Sequence, residues 1–158
     1  MSSFARSATP GTGTIDVLCD TSVVLEWFHS EGEAGVDDAR AVLTAYRDGT
    51  IGVILLDLTL YELGNALLRG RGWPASRVAD QLDDVDRIAP VVGATPSERR
   101  VAADLAERHG LTFYDALFAA TARGRQAALV TADGELLRAG LGMTAASVAA
   151  DLGRGDRP

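Results

Sequence analysis

Four acidic residues occupy positions where the sequence predicts the ends of strands or the helices beside them. Asp20 ends the first predicted strand and Asp133 lies just beyond the fourth, whereas Glu62 and Asp115 fall on helices. Ligands of an open parallel sheet bind beyond the carboxyl ends of its strands, so we expect these four side chains to converge there. Asp16 lies four residues before Asp20, about 13 Å toward the opposite edge, which excludes it from the same site.

Such a cluster predicts a site for a divalent cation. Carboxylates held close together raise one another's pKa values unless a cation lies among them. Oxygen ligands favour the hard ions Mg²⁺ or Mn²⁺ over Zn²⁺, and such an ion can activate water and bind a phosphodiester for in-line displacement. The chain has one cysteine, Cys19, and two histidines, His29 and His109, so we do not expect a zinc site of the Cys/His type.

Each acid also has a purely structural interpretation. Asp20 can be a helix-capping or loop carboxylate, and Asp133 can cap the short helix that follows it. Asp115 lies in a segment that is apolar almost all round, which predicts a buried helix. A buried carboxylate needs a cation or hydrogen-bond donors, so the alternative to a metal is a salt bridge to Arg123 or Arg125.

Glu62 opens the predicted helix after the second strand. Asn65 and Arg69 follow it at +3 and +7, so the three residues share one face of a regular α-helix. The structural alternative is a solvated polar stripe with a glutamate placed in the first turn against the helix dipole.

Strands alternate with helices along the chain. The predicted strands cover residues 15–20, 51–56, 88–92 and 127–131, with a minimal fifth strand at 143–145. The predicted helices cover residues 22–28, 37–47, 59–69, 74–86, 96–109, 112–122 and 134–139. Because the strands are apolar runs, this pattern predicts a three-layer α/β/α fold with a central, mainly parallel sheet. We assign residues 14–150 to one domain, with a flexible leader at 1–13 and a flexible polar tail at 151–158.

The net charge of −7 is unusual for a protein that binds nucleic acid, because phosphate binding favours a basic surface. All 15 basic residues are arginine, which suits bidentate phosphate contacts, and a bound ion would offset part of the acidic charge. No apolar run reaches the roughly 18 residues needed to cross a bilayer, and residues 1–13 lack the apolar core of a secretory signal. We therefore expect a cytoplasmic protein.

Four short segments carry the acids in an order and spacing that resemble a known family. They are DTS at residues 20–22, YELGN at 61–65, FYDAL at 113–117 and LVTAD at 129–133. Each segment is short and unspecific by itself. The ordered set, which spans about residues 14–150, resembles the PIN-domain pattern of VapC-type toxins.

The resemblance implies a PIN-fold, Mg²⁺-dependent endoribonuclease that acts on structured RNA such as tRNA or rRNA. Proteins of this kind commonly form homodimers and are inhibited by a cognate VapB antitoxin. The acidic catalytic set would be Asp20, Glu62, Asp115 and Asp133, of which Asp20, Asp115 and Asp133 would bind the metal.

The resemblance also implies roles for polar residues near the acids. Three hydroxyl groups would hold the attacking water or orient the carboxylates, namely those of Thr21, Ser22 and Thr131. Asn65 and Arg69 are further candidates for orienting the substrate.

Two other classes of function would explain part of the pattern. A phosphoryl-accepting protein also has an Asp after its first strand, but it normally uses a lysine, and this sequence has none. A dehalogenase-type phosphatase further needs a second Asp at the position of Ser22. A PIN-like fold kept as a non-catalytic protein-binding module remains open.

Apolar residues on two predicted helices have two interpretations. Trp27, Phe28 and Tyr61 belong either to the core or to a surface that accepts an amphipathic antitoxin segment.

Overall fold

Four strands and eight α-helices make up the described part of the chain, which is residues 14–28 and 35–155 of a computed structural model. The strands are β1 (Ile15–Cys19), β2 (Ile51–Leu56), β3 (Val91–Val92) and β4 (Ala128–Val130). The helices are α1 (Thr21–Trp27), α2 (Val36–Arg47), α3 (Leu58–Asn65), α4 (Ala75–Ile88), α5 (Pro96–His109), α6 (Phe113–Gly124), α7 (Gly134–Arg138) and α8 (Ala145–Gly155), and a π-helical turn (Ala66–Gly70) continues α3. The predicted leader at 1–13 lies outside the described residues.

The strands form one sheet in the order β3-β2-β1-β4, and every neighbouring pair is parallel. β1 is central, with Val17 opposite Val53 of β2 and Ala128 of β4. The chain adds β2 and β3 on one side of β1 and then crosses to place β4 on the other side. The strand order therefore reverses between β1 and β4, which is where ligands bind in open α/β sheets. Asp16 lies opposite Gly52, toward the amino end of β1 and away from this point.

The two faces of the sheet pack against different helices. Val17 and Cys19 belong to the apolar cluster formed with α1 to α4 and α8. Leu18 and Leu129 belong to the cluster formed with α5, α6 and α7. Alternate residues of β1 are thus buried on opposite faces, as expected for a strand between two helical layers. The predicted three-layer α/β/α fold with a parallel sheet is confirmed, and Cys19 is fully buried.

A partly buried ion pair joins α5 to the end of α6. Thr95 caps α5 and accepts a hydrogen bond from the Glu98 amide at 3.2 Å, while the Glu98 carboxylate accepts one from the Thr95 amide at 2.7 Å. The second carboxylate oxygen of Glu98 accepts a hydrogen bond from Nε of Arg125 at 3.0 Å, and Arg125 also donates to the carbonyl of Gly93. These contacts fix the hairpin that presents the start of α6 to the sheet.

Three element boundaries differ from the prediction. The third strand is limited to Val91–Val92, because α4 continues to Ile88 and proline at position 90 favours an extended conformation at Ala89. Of the predicted fifth strand, Met143 forms a single parallel bridge with Val130, and Ala145 already begins a helix.

The carboxyl-terminal helix extends into the segment that the sequence suggested was a polar tail. Residues 151–155 continue α8, and Leu152 packs against the core. The last three residues of that predicted tail lie outside the described part.

Candidate active site

Asp20 lies at the carboxyl end of the central strand and caps the helix that follows. Its amide donates to the carbonyl of Val130 at 3.1 Å, and its Oδ1 accepts a hydrogen bond from the Val23 amide at 3.3 Å. The side chain is only 5% exposed. Burial raises the pKa of Asp20, and hydrogen bonds from Ser22, Thr131 and backbone amides oppose that rise. The capping interpretation is therefore correct, and it leaves a carboxylate buried at the switch point.

Two hydroxyl groups tie Asp20 to the loop after β4. Ser22 donates to Oδ1 of Asp20 and accepts a hydrogen bond from the Ala132 amide at 2.9 Å. Thr131 is fully buried, donates to Oδ2 of Asp20 and accepts from the Asp133 amide at 2.9 Å. Ser22 and Thr131 thus orient this carboxylate, one of the two tasks suggested for them.

Asp133 caps α7, as the structural interpretation proposed. Its Oδ1 accepts hydrogen bonds from the amides of Glu135 and Leu136, both at 2.9 Å. Because Thr131 contacts both Asp20 and the Asp133 amide, Asp133 lies at the same sheet edge. One of its oxygens is already used by the helix, so a metal-binding role for Asp133 stays a prediction.

Glu62 reaches the site from α3. Its Oε2 accepts a hydrogen bond from the hydroxyl of Thr21, the first residue of α1. Burial of the half-buried side chain raises the pKa of Glu62; the Thr21 hydrogen bond opposes this, and the charges of Asp115 and Asp20 raise it further. Glu62 therefore lies close enough to both aspartates for their charges to act on it.

Asp115 lies in the first turn of α6 and is half-buried, so the prediction of a fully buried position is wrong. The apolar stretch around it begins at the helix terminus, where Phe113 and Tyr114 face solvent. Thr112 caps the helix: its hydroxyl donates to Oδ2 of Asp115 at 2.6 Å and accepts from the Asp115 amide at 3.1 Å.

The predicted alternative for Asp115, a salt bridge to an arginine, is not found within residues 14–28 and 35–155. Arg125 pairs with Glu98. Arg123 lies eight residues further along the same helix, about 12 Å away along its axis. Asp115 is therefore held by Thr112, and its charge acts on Glu62.

Asn65 and Arg69 are exposed, and the predicted stripe with Glu62 does not continue to Arg69. The chain changes from α to π geometry at Ala66. A π turn contains more residues than an α turn, so Arg69 is rotated away from the face on which Glu62 lies. A substrate-orienting role for both residues stays a prediction.

The donor set can be tested for its fit to a metal. Among the described residues, no three Asp, Glu, His or Cys side chains are arranged to hold a metal ion by themselves. A closed cage of Asp20, Asp115 and Asp133 is thus not formed. Mg²⁺, however, usually keeps several water ligands and is bound through one or two carboxylates. The oxygen-only donors and the mutual repulsion at Glu62 fit an ion of that kind.

Three apolar residues were predicted to belong either to the core or to a surface that binds a partner. Two of them pack in the core and one is exposed. Trp27 is buried and donates to the carbonyl of Ala39 at 3.0 Å, and Phe28 packs against the core. Tyr61 is exposed beside Glu62. The sequence interpretation did not identify Thr112, Phe113 and Tyr114 as parts of the site. The spacing of Thr112 and Asp115, which matches a helix cap and its third residue, is a signal that could have found the first of them.

Comparison with known proteins identifies a family model and solved structures that resemble this chain. A PIN domain family model matches residues 17–141. Among solved structures, the chain resembles PAE2754 from Pyrobaculum aerophilum with 25% identity and a TM-score of 0.65, covering 90% of this chain and 99% of that one. No curated protein matches the sequence significantly.

Two further structures share the fold at lower identity. VapC20 of Mycobacterium tuberculosis, described as a sarcin-ricin loop cleaving toxin, is 22% identical with a TM-score of 0.62, covering 78% of this chain and 95% of that one. VapBC2 from Rickettsia felis, bound to a promoter DNA fragment, is 15% identical with a TM-score of 0.63, covering 82% of this chain and 97% of that one. With the family model matching most of its length, the chain belongs to the PIN-domain family.

Proposed function

We propose that the protein is a Mg²⁺-dependent endoribonuclease of the VapC toxin type, acting on tRNA or rRNA. The observation that carries the proposal is the approach of the acids at the switch point of the sheet, where Thr21, next to Asp20, donates a hydrogen bond to Glu62. Burial raises the pKa of Glu62, and the charges of Asp115 and Asp20 raise it further. The fold likeness to a toxin described as cleaving the sarcin-ricin loop supports the substrate class.

Within this proposal the acids have separate tasks. Asp20, Asp115 and Asp133 would hold Mg²⁺, or Mn²⁺ in its place. A bound ion of this type lowers the pKa of water and neutralises charge on the phosphodiester. Thr131 and Ser22 keep the Asp20 carboxylate in position.

Glu62 is the group best suited to move a proton. Burial raises the pKa of Glu62, which brings the release of its proton closer to neutral pH than in an ordinary glutamate. Thr21 holds the carboxyl group in place. As Glu62 accepts a proton from the attacking water, the water oxygen bonds to phosphorus and the phosphorus–oxygen bond of the leaving nucleotide breaks. The leaving oxygen takes up a proton from solvent and becomes a hydroxyl group.

A protein partner is part of the proposal. Structures that share this fold include a toxin–antitoxin complex from Klebsiella pneumoniae. We propose a cognate VapB-type antitoxin as inhibitor and a homodimer as the active assembly. No helix within residues 14–28 and 35–155 is long and apolar enough to cross a membrane.

Cleavage of RNA by the purified protein tests the proposal. We expect total RNA to be cleaved in Mg²⁺, to stay intact in excess EDTA, and to be cleaved again when Mg²⁺ is restored. The reaction stops because the acids by themselves cannot activate water. Cleavage that persists in EDTA, or no cleavage of any RNA in Mg²⁺ or Mn²⁺, would contradict the proposal.

A further inference from the structure

Three exposed aromatic side chains are close in sequence to two acids of the candidate active site. Tyr61 is 71% exposed, Tyr114 is 60% exposed and Phe113 is 42% exposed. Across residues 14–28 and 35–155, these are the aromatic side chains that face solvent; the others are buried or partly buried. Tyr61 directly precedes Glu62, and Tyr114 directly precedes Asp115. Large exposed apolar side chains gathered at one place mark a surface that binds something.

The rings approach the site from two elements. Tyr61 lies on α3, and Phe113 and Tyr114 are the first two residues of α6. Ala116, next to Asp115, packs in the same apolar cluster as Leu18 and Leu56, near the carboxyl ends of β1 and β2. Glu62 of α3 accepts a hydrogen bond from Thr21, just after β1, so the beginning of α6 and the middle of α3 lie at the same edge of the sheet. The three aromatic residues therefore lie on elements that meet at the edge of the sheet that carries the acids.

The charge of the molecule indicates which part of a nucleic acid these rings would contact. With a net charge of −7 and several acids at the site, contacts to phosphate can supply little of the binding energy. Aromatic rings stack on any base without needing a basic surface. Only unpaired bases offer their faces, because in a duplex both faces are covered by neighbouring base pairs.

We infer that Tyr61, Phe113 and Tyr114 form a stacking platform for unpaired bases beside the scissile phosphodiester. Stacking supplies most of the affinity for RNA, and phosphate contacts contribute little. The inference rests on the proposed ribonuclease function and names how that site recognises its substrate.

Binding of a fluorescent RNA tests the platform separately from catalysis. The probe is a short single-stranded RNA that carries 2-aminopurine, whose fluorescence falls when the base stacks; it is titrated in EDTA, and a gel checks that it stays intact. Tyr61→Ala and Tyr114→Ala should each weaken binding by about 5- to 100-fold and reduce the quenching. Tyr114→Phe should restore both, because it keeps the ring. Ile15→Ala, which removes an exposed apolar side chain at the opposite end of the sheet, should bind as the wild type does.

Salt dependence gives a second readout. For the wild type, the logarithm of Kd plotted against the logarithm of salt concentration should have a slope of about 1.4 or less, the value for two phosphate contacts to a single strand. The same RNA annealed to its complement should bind at least about tenfold more weakly.

Several outcomes would overturn the inference. The first is that the alanine variants bind the probe as tightly as the wild type. The second is a slope of log Kd against log salt concentration of about 3 or more. The third is that the duplex binds as tightly as the single strand. If the alanine variants change self-association in sedimentation while RNA binding is unchanged, the rings belong to a contact between copies of the chain. Quenching is measured without cleavage, so the two proposals can fail separately. If the wild type cleaves RNA in Mg²⁺ but the alanine variants bind and quench the probe as the wild type does, only the platform is refuted. Absence of any cleavage refutes the proposed function.

Discussion

The hydroxyl of Thr131 connects two elements of the site, since it contacts both Asp20 and the Asp133 amide while fully buried. Thr131→Val keeps the shape of the side chain and removes both hydrogen bonds. We expect the free energy of unfolding to fall by about 2 kcal/mol, because a buried carboxylate oxygen loses its donor. The pKa of Asp20 should rise further, since the bond from Thr131 lowers it. Urea unfolding in EDTA at pH 7 measures the first effect.

Thr121 provides a matched control for this prediction. It is also fully buried, but its hydroxyl has no hydrogen-bond partner among the described residues. Thr121→Val should therefore leave stability unchanged or raise it by up to about 1 kcal/mol. Equal losses in the two variants would mean that the bonds of Thr131 contribute nothing.

At the residue scale, the sequence predicted where Asp20 lies, but it did not predict the burial of Asp115 or the hydrogen-bond partners of the threonines. Asp20 could be located because it follows an apolar strand. The burial of Asp115 could not, because the predicted helix over 112–122 does not show how much of its first turn is covered by other elements. The hydroxyls of Thr21 and Thr131 reach partners 41 and 111 residues away, and no local pattern reports such distances.

At the element scale, Glu98 is the residue that joins α5 to α6. Burial by itself would raise the pKa of Glu98, but hydrogen bonds from Thr95 and Arg125 outweigh it and hold the pKa below its ordinary value. A carboxylate with a lowered pKa stabilises the folded state above its unfolded-state pKa of about 4.3, and that stabilisation is lost as the pH falls through the folded-state pKa.

Glu98→Gln should therefore cost stability in a pH-dependent way. At pH 7 we expect a loss of about 1–2 kcal/mol relative to the wild type, because charge-assisted hydrogen bonds are replaced by neutral ones. The difference should shrink as the pH falls below about 4. Chemical unfolding at a series of pH values measures it. The exposed Glu107 of the same helix serves as control, since Glu107→Gln should stay within about 0.5 kcal/mol throughout. A difference for Glu98→Gln that does not change with pH would contradict this account.

The boundaries that differed have identifiable causes at this scale. Residues with high strand propensity at the end of α4 pack as part of a helix, and pairing with β2 begins only at the carbonyl of Pro90. The change to π geometry at Ala66 could not be predicted, because hydrophobic periodicity does not distinguish a π turn from an α turn over five residues.

For the whole molecule, topology explains why distant acids meet. A parallel sheet aligns the carboxyl ends of its strands, and the reversal between β1 and β4 opens a crevice there. The apolar, evenly spaced strands were sufficient to predict this architecture. The net charge, in contrast, predicted only weak non-specific binding to nucleic acid.

Asp115→Asn is the variant that best separates a metal site from a structural one. The side chain keeps its size and can still interact with Thr112, and the repulsion that raises the pKa of Glu62 is relieved. Its thermal stability in EDTA should therefore equal or exceed that of the wild type. Asp83→Asn, at an exposed position on α4, is the matched control.

Calorimetric titration of Mg²⁺, with Mn²⁺ in parallel, into wild type, Asp115→Asn and Asp83→Asn tests the central claim that the acids form one cation site. We predict that the wild type and Asp83→Asn bind the ion with the same affinity. Asp115→Asn should bind it at least about tenfold more weakly, because a charged ligand is lost. A wild type that binds neither ion, or an Asp115→Asn protein that binds as tightly as the wild type, would contradict the claim and favour a non-catalytic binding module.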